Sequence, residues 1–183
     1  MKVLIACEKS GIVRNAFRAT GHDAFSCDIE PALDDSEYHI QGDAVDVSRL
    51  MKWDLMVAHP PCTHITYASA VHWNKPRWKD AQQRDLTLFW LLLHAPIEHV
   101  AIENPRGLPY KLIRKPDDVI QPYEFGHDVS KRTYLWLKNL PPLMRTFYNP
   151  DFEKNWTSKR HGFARSITFQ GIADAMARQW GTR

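Results

Sequence analysis

Apolar positions fall into short runs, each closed by a polar or proline-marked break. Residues 3–6 (Val-Leu-Ile-Ala) are uniformly apolar, as a strand covered on both faces must be. Glu8-Lys9-Ser10-Gly11 interrupts the run. Beyond it, Ile12, Val13, Ala16 and Phe17 repeat at helical spacing, which predicts a helix over 11–20 with Ser10 as its cap and Gly21 as its end. Residues 22–29 read as a second strand closing at Asp28. Strand, turn, helix and strand in so short a space make a βαβ unit, hence a parallel sheet. Further strands are expected over 54–58, 98–102 and 133–137. Helices are expected over 80–94, with Leu86, Phe89, Trp90 and Leu93 as its buried stripe, and over 172–180. Residues 31–41, 107–118 and 141–158 read as irregular. The pattern predicts an α/β domain with a mostly parallel, doubly wound, Rossmann-like sheet across residues 1–183.

Several polar residues stand where these strands stop. Ligands of open α/β sheets bind beyond the carboxyl ends of the strands. The strand over 54–58 runs into His59-Pro60-Pro61-Cys62, and the prolines place Cys62 on a stiff loop just past the edge. The strand over 98–102 runs into Glu103-Asn104-Pro105. A thiol and a carboxyl at neighbouring edges suit nucleophilic chemistry, whereas an isolated cysteine would be a small apolar filler. Asp28 sits where a βαβ unit places the acid that holds a ribose, or it makes a turn. Asp43, after Gly42, lies at another such edge or in a simple turn.

Composition narrows the class. The chain has 183 residues with net charge +3, so it suits one domain and tolerates an anionic partner without requiring one. Three scattered cysteines, Cys7, Cys27 and Cys62, with no CxxC pair, argue against a disulfide framework or a structural zinc and for a reducing, cytoplasmic setting. No apolar run is long enough to span a bilayer. Between 66 and 80, Tyr67, Trp73 and Trp78 alternate with Lys75, Arg77 and Lys79, which suits base stacking and phosphate contact, or a polar lid. Lys159, Arg160 and Arg165 form a second cationic stretch, a phosphate contact or a solvated loop. Lys131 and Arg132 precede the strand over 133–137, as anion ligands or a solvated pair.

The order of these stretches resembles the DNA (cytosine-5) methyltransferase family. His59-Pro60-Pro61-Cys62 and Glu103-Asn104 match its nucleophile and glutamate motifs, about 40 residues apart. Phe125-Gly126 with Lys131, and Arg165-Ser166-Ile167-Thr168, resemble two later motifs more loosely. The resemblance implies S-adenosylmethionine as cofactor, contacted by Cys7, Glu8, Ser10, Gly11, Asp28, Ile29, Asp43 and Pro60. It implies catalysis by Cys62 and Glu103 with Lys131 or Arg132, and DNA as partner, met by Lys75, Arg77, Lys159, Arg160 and Arg165. Two departures stand out. Of the family's turn glycines only Gly11 is present, and 137–163 is too short for a large target-recognition domain, so the chain is most similar to compact phage-encoded members. The mechanism implied needs Glu103 protonated, with its pKa raised by burial or by a ligand. Alternatives are a non-catalytic module that binds S-adenosylmethionine or nucleic acid, and methylation of RNA or free nucleotide. A cysteine hydrolase is a third class. His59 and His64 flank Cys62, but the sequence offers neither an orienting acid nor an oxyanion turn.

Overall fold

The computed structural model describes residues 1–153 and 166–182. Strands β1 (Lys2–Ala6), β4 (Leu55–Ala58) and β5 (His99–Asn104) form the centre of a seven-stranded sheet, ordered β3-β2-β1-β4-β5-β7-β6. Their residues alternate between two cores. Val3, Ile5, Leu55 and Val57 join one, and Leu4, Ala6, Met56 and Ala58 join the other. That division is why these runs are apolar at every position.

The first core is closed by α1 (Ile12–Ala19) and α5 (Gln170–Trp180), through Val13, Phe17, Ile172, Met176 and Trp180. The second is closed by α2 (Ala44–Leu50) and α3 (Pro76–Leu93), through Val47, Phe89 and Leu92. Strands β2 (Asp23–Asp28), β1, β4 and β5 run parallel, as does β3 (His39–Gln41) beside β2. Strand β7 (Thr133–Lys138) is antiparallel to β5 and to β6 (Asp118–Ile120). Its amino end therefore lies at the carboxyl edge of the others, which brings Lys131 and Thr133 to the edge that carries Glu103. The chain leaves β1 toward β2 and later returns to β4 on the other side, so the switch point falls between β1 and β4.

Several expectations need correction. Residues 31–41 include β3, and 107–118 includes α4 (Leu108–Leu112) and the start of β6. Helix α3 starts at Pro76, four residues before the expected position, because proline at a first helical turn gives up only an amide that has no partner there. Trp90 is not core. It is half exposed, while Gln82 and Asp85 of the same helix are buried. Ser10 is not the N-cap of α1, although its hydroxyl accepts from Ile12 N at 3.4 Å. The N-cap is Gly11, in a left-handed conformation, and the Glu8 carboxylate takes the role. Glu8 accepts from Val13 N at 2.8 Å and Arg14 N at 3.2 Å, holding negative charge at the positive helix end. A side chain at Gly11 would collide with the guanidinium of Arg14, which is fully buried and paired with Asp34. No helix among the described residues is long and apolar enough to cross a membrane.

Candidate active site

Past the carboxyl edge of the sheet, the loops after β4 and β5 are joined side by side. Glu103 accepts from, or shares a proton with, His59 Nδ1 at 3.0 Å. The Asn104 amide donates to the Pro60 carbonyl at 2.8 Å. Leu108 N donates to the Ile65 carbonyl at 2.7 Å, Tyr67 N donates to the Arg106 carbonyl at 3.1 Å, and Thr66 bridges to Gly107. A side chain at Gly107 would strike the Ile65 carbonyl, so glycine is required for the close approach of the two loops. Within its own loop the Cys62 carbonyl accepts from Ile65 N and Thr66 N, a tight turn that fixes the cysteine backbone. Prolines 60 and 61 stiffen the approach. Cys62 is half-buried.

The histidine on the other side of Cys62 is also paired. His64 Nδ1 lies 2.8 Å from Asp85, which is buried in α3 for that purpose, and the His64 ring packs edge-on against Trp78. Both imidazoles beside the cysteine therefore have an orienting carboxylate, Glu103 or Asp85. Neither pairing was legible from sequence, because the partners lie 44 and 21 residues away.

Glu103 departs from the expectation of a raised pKa. Burial pushes it up, but the His59 hydrogen bond, the Lys131 ammonium and a Thr133 hydrogen bond outweigh burial and hold it below the ordinary carboxylate range. Without a ligand Glu103 is thus a carboxylate at neutral pH. Lys131 also donates to the Ile167 carbonyl at 3.3 Å, while Arg132 is exposed.

A cavity of about 390 Å³ lies beside these loops, bordered by Cys7, Glu8, Ser10, Asp28, Ile29 and Asp43 and, from the other side, by His59, Pro61 and Thr168. Gly11 and Pro60 do not border it. Gly11 makes room for Arg14, and Pro60 is held against Asn104. Cys7, just past β1, has a positive φ of 58°, a conformation strained for a residue with a side chain. Burial, then Asp28, Cys27 and Asp43, push the Cys7 thiol far up, and burial with the same two aspartates pushes Cys27 up to about 12. Thiols held so far up carry little thiolate near neutral pH.

Among the described residues four acids border the cavity, Glu8, Asp28, Glu30 and Asp43, against one cation, Lys9, itself paired with Glu30. Such a lining repels phosphates and suits a ligand that carries positive charge and hydroxyls. Asp28 and Asp43 each spend one oxygen on a nearby amide, Asp28 on Glu30 N and Asp43 on Val45 N and Asp46 N. Asp43 is thereby the N-cap of α2, with an extended backbone.

Lys75 and Arg77 are exposed, at the start of α3. Beside them a second, larger hollow of about 650 Å³ lies between α3 and α4, bordered by Trp73, Lys79, Gln82, Trp90 and Leu112. Lys159, Arg160 and Arg165 lie outside the described residues.

No family model matches the chain, and no curated protein matches it. Solved structures do. The methyltransferase EhMeth of Entamoeba histolytica superposes with a TM-score of 0.54 at 16% identity, over 84% of this chain and 57% of that one. The two chains share a Rossmann-like fold. A candidate DNA modification methyltransferase encoded within an E. coli prophage matches with a TM-score of 0.48 at 13% identity, over 75% of this chain and 46% of that one. The chain spans about half the length of each of these structures.

Proposed function

We propose that the protein transfers a methyl group from S-adenosylmethionine to carbon 5 of cytosine in DNA, through a covalent adduct of Cys62. The observation that carries this reading is the pair of bonds, His59 to Glu103 and Asn104 to Pro60, that locks the thiol loop to the glutamate strand beside an acidic cavity. A nucleophile and a proton donor must both reach one ring, and such a lock removes the freedom to miss.

The cavity residues fit the cofactor. Asp28 and Asp43 keep acceptor capacity for hydroxyl and amine donors, and the negative lining suits a sulfonium ion. When bound, the cofactor supplies an electrophilic methyl group. The chain does the rest. The Cys62 thiolate adds to carbon 6, which makes carbon 5 nucleophilic. Glu103 holds the exocyclic amine and delivers a proton to ring N3. In a duplex the base is extruded to reach the site, and residues 66–79, which follow the Cys62 loop, are the candidate cover over it. DNA contact is assigned to Lys75 and Arg77 and to Lys159, Arg160 and Arg165.

The test is methyl transfer from labelled cofactor to single-stranded DNA, duplex DNA, RNA and free nucleotide, with 5-methylcytosine as the product sought and calorimetry as an independent measure of cofactor binding. Label in DNA cytosine supports the reading. Label only in RNA or nucleotide changes the substrate. Cofactor binding with no transfer turns the chain into a binding module. Hydrolysis of an ester or amide through Cys62, for which the oriented His59 and His64 are the favouring observation, would replace the reading.

A further inference from the structure

The proposed reaction asks Glu103 to give a proton to a ring nitrogen, yet the ligand-free site holds Glu103 as a carboxylate. The proton must come from a neighbour. Lys131 acts on Glu103 only through its charge and bonds instead to the Ile167 carbonyl. Thr133 is a neutral donor that keeps its proton. His59 is the neighbour that can gain and lose a proton near neutrality. Its Nδ1 is in hydrogen-bond contact with Glu103, and its side chain is about nine-tenths buried. Its Nε2 is buried without a partner among the described residues, and the ring borders the acidic cavity. A histidine that only held Glu103 in place would be expected to have both nitrogens satisfied, as buried polar atoms are.

We infer that His59 is a proton-relay residue for Glu103, loading that carboxylate through Nδ1 and taking the proton back there after turnover, while Nε2 keeps its hydrogen at the cavity wall. The inference rests on the methyl-transfer reading above. His59 acts through Glu103 and is a positioning residue, not a group that touches the ring. It enters the reaction as the imidazolium. As the Cys62 sulfur bonds carbon 6, the Nδ1 proton passes to a Glu103 oxygen and a proton passes from Glu103 to ring N3, leaving a neutral imidazole with its hydrogen on Nε2. After carbon 5 has taken the methyl group, its own proton leaves to solvent and the carbon–sulfur bond breaks. The N3 proton then returns by way of Glu103 to Nδ1, so the pair ends as it began.

The charged groups around the imidazole fit this cycle. Glu103 faces it from β5, Lys131 lies just before β7, and Cys62 shares its loop. Across the cavity are Cys7, Glu8, Asp28 and Asp43, together with the Lys9–Glu30 ion pair.

The test is the pH dependence of single-turnover methyl transfer in the wild type and in His59→Asn, whose amide can still bond Glu103 but carries no exchangeable charge. The wild-type rate should fall on the alkaline side as the imidazolium is lost. His59→Asn should lose about 10²-fold at the wild-type optimum, lack that alkaline fall, and bind cofactor within about threefold of the wild type. A wild-type rate and pH profile in His59→Asn overturns the relay. If His59→Asn does not bind cofactor, His59→Gln takes its place. The wild type alone supplies a further readout, the ¹⁵N imidazole signals of His59 at the optimum pH. These should change from imidazolium in the free protein to a neutral ring protonated at Nε2 in the adduct with 5-fluorocytosine DNA, and an unchanged protonation state overturns the relay. Absence of both adduct and product in the wild type overturns the methyl-transfer reading itself, a different result from either of these.

Discussion

The two ends of the candidate site are built differently. At the β1–β2–β3 edge the carboxylates are occupied locally: Glu8 caps α1, Asp43 caps α2, and Asp28 accepts from Glu30 N two residues on. At the β4–β5 edge the bonds cross between loops some 40 residues apart, from His59 to Glu103 and from Asn104 to Pro60. The first arrangement fixes each acid through its own backbone and leaves a negative cavity open to a ligand. The second fixes two distant segments relative to each other, as chemistry at one atom demands. Local capping suits binding, and long-range locking suits catalysis.

The largest expected effect is at the lock. Asn104→Ala should lower single-turnover methyl transfer by about 10²-fold, because the Cys62 loop is no longer registered on β5. It should also lower stability by about 1–3 kcal/mol, because the Pro60 carbonyl loses its donor in a buried place. Cofactor affinity, read by calorimetry, should hardly change. Equal losses in affinity and rate would mean that the two edges are one unit.

At the other edge, Asp28→Ala should weaken cofactor binding by about 1–3 kcal/mol while leaving the fold intact, through loss of charge-assisted bonds to a hydroxyl pair. Undiminished binding moves that contact elsewhere. Beneath this edge, Asp34→Asn removes the charge opposite the fully buried Arg14. Ser26 still accepts from that guanidinium at 2.8 Å, and Asp34 is partly exposed, so a loss of about 1–2 kcal/mol in chemical denaturation is expected, below the range for a fully buried pair.

Acid should act on both edges in the same direction. Burial opposes the shift at Asp34 and at Glu103, but Arg14 in one case and His59 with Lys131 in the other hold the folded-state pKa below its ordinary value. Their stabilisation is complete above the unfolded carboxylate range, near about 4, and is lost as pH falls through the lower folded values. The acid limb of a stability–pH curve should be shallower in Asp34→Asn. The smallest effect is expected at Glu8→Gln, about 0.5–1 kcal/mol of stability from a weaker charge at the α1 terminus, with cofactor affinity falling less than in Asp28→Ala because the Glu8 carboxylate is spent on the helix amides. A large drop in affinity would make Glu8 a ligand as well as a cap.

Legibility in the sequence followed the same division. The central strands were readable because β1, β4 and β5 are buried on both faces, and Cys62 and Glu103 could be placed by where β4 and β5 stop. Short polar elements were not. Strand β3 is only His39–Gln41, and α2 is seven residues long, although Asp43 ahead of Ala-Val-Asp is a capping signal that could have revealed it. Trp90 was misread because helical spacing does not say how wide the buried stripe is, and in α3 that stripe shifts to take in Asp85 as the partner of His64. The protonation of Glu103 was out of reach, since it depends on His59 and Lys131, which only the fold brings to it.

The central claim is that Cys62 is the nucleophile. DNA carrying 5-fluorocytosine, incubated with the protein and S-adenosylmethionine, should give a covalent complex whose mass spectrum after proteolysis places the adduct on Cys62. The fluorine at carbon 5 cannot leave as a proton does, so the adduct should persist. Cys62→Ser should give none, because a hydroxyl is scarcely ionised near neutral pH, while Cys7→Ser and Cys27→Ser should keep it. An adduct carried by Cys7 or Cys27, or wild-type methylation by Cys62→Ser, would contradict the account.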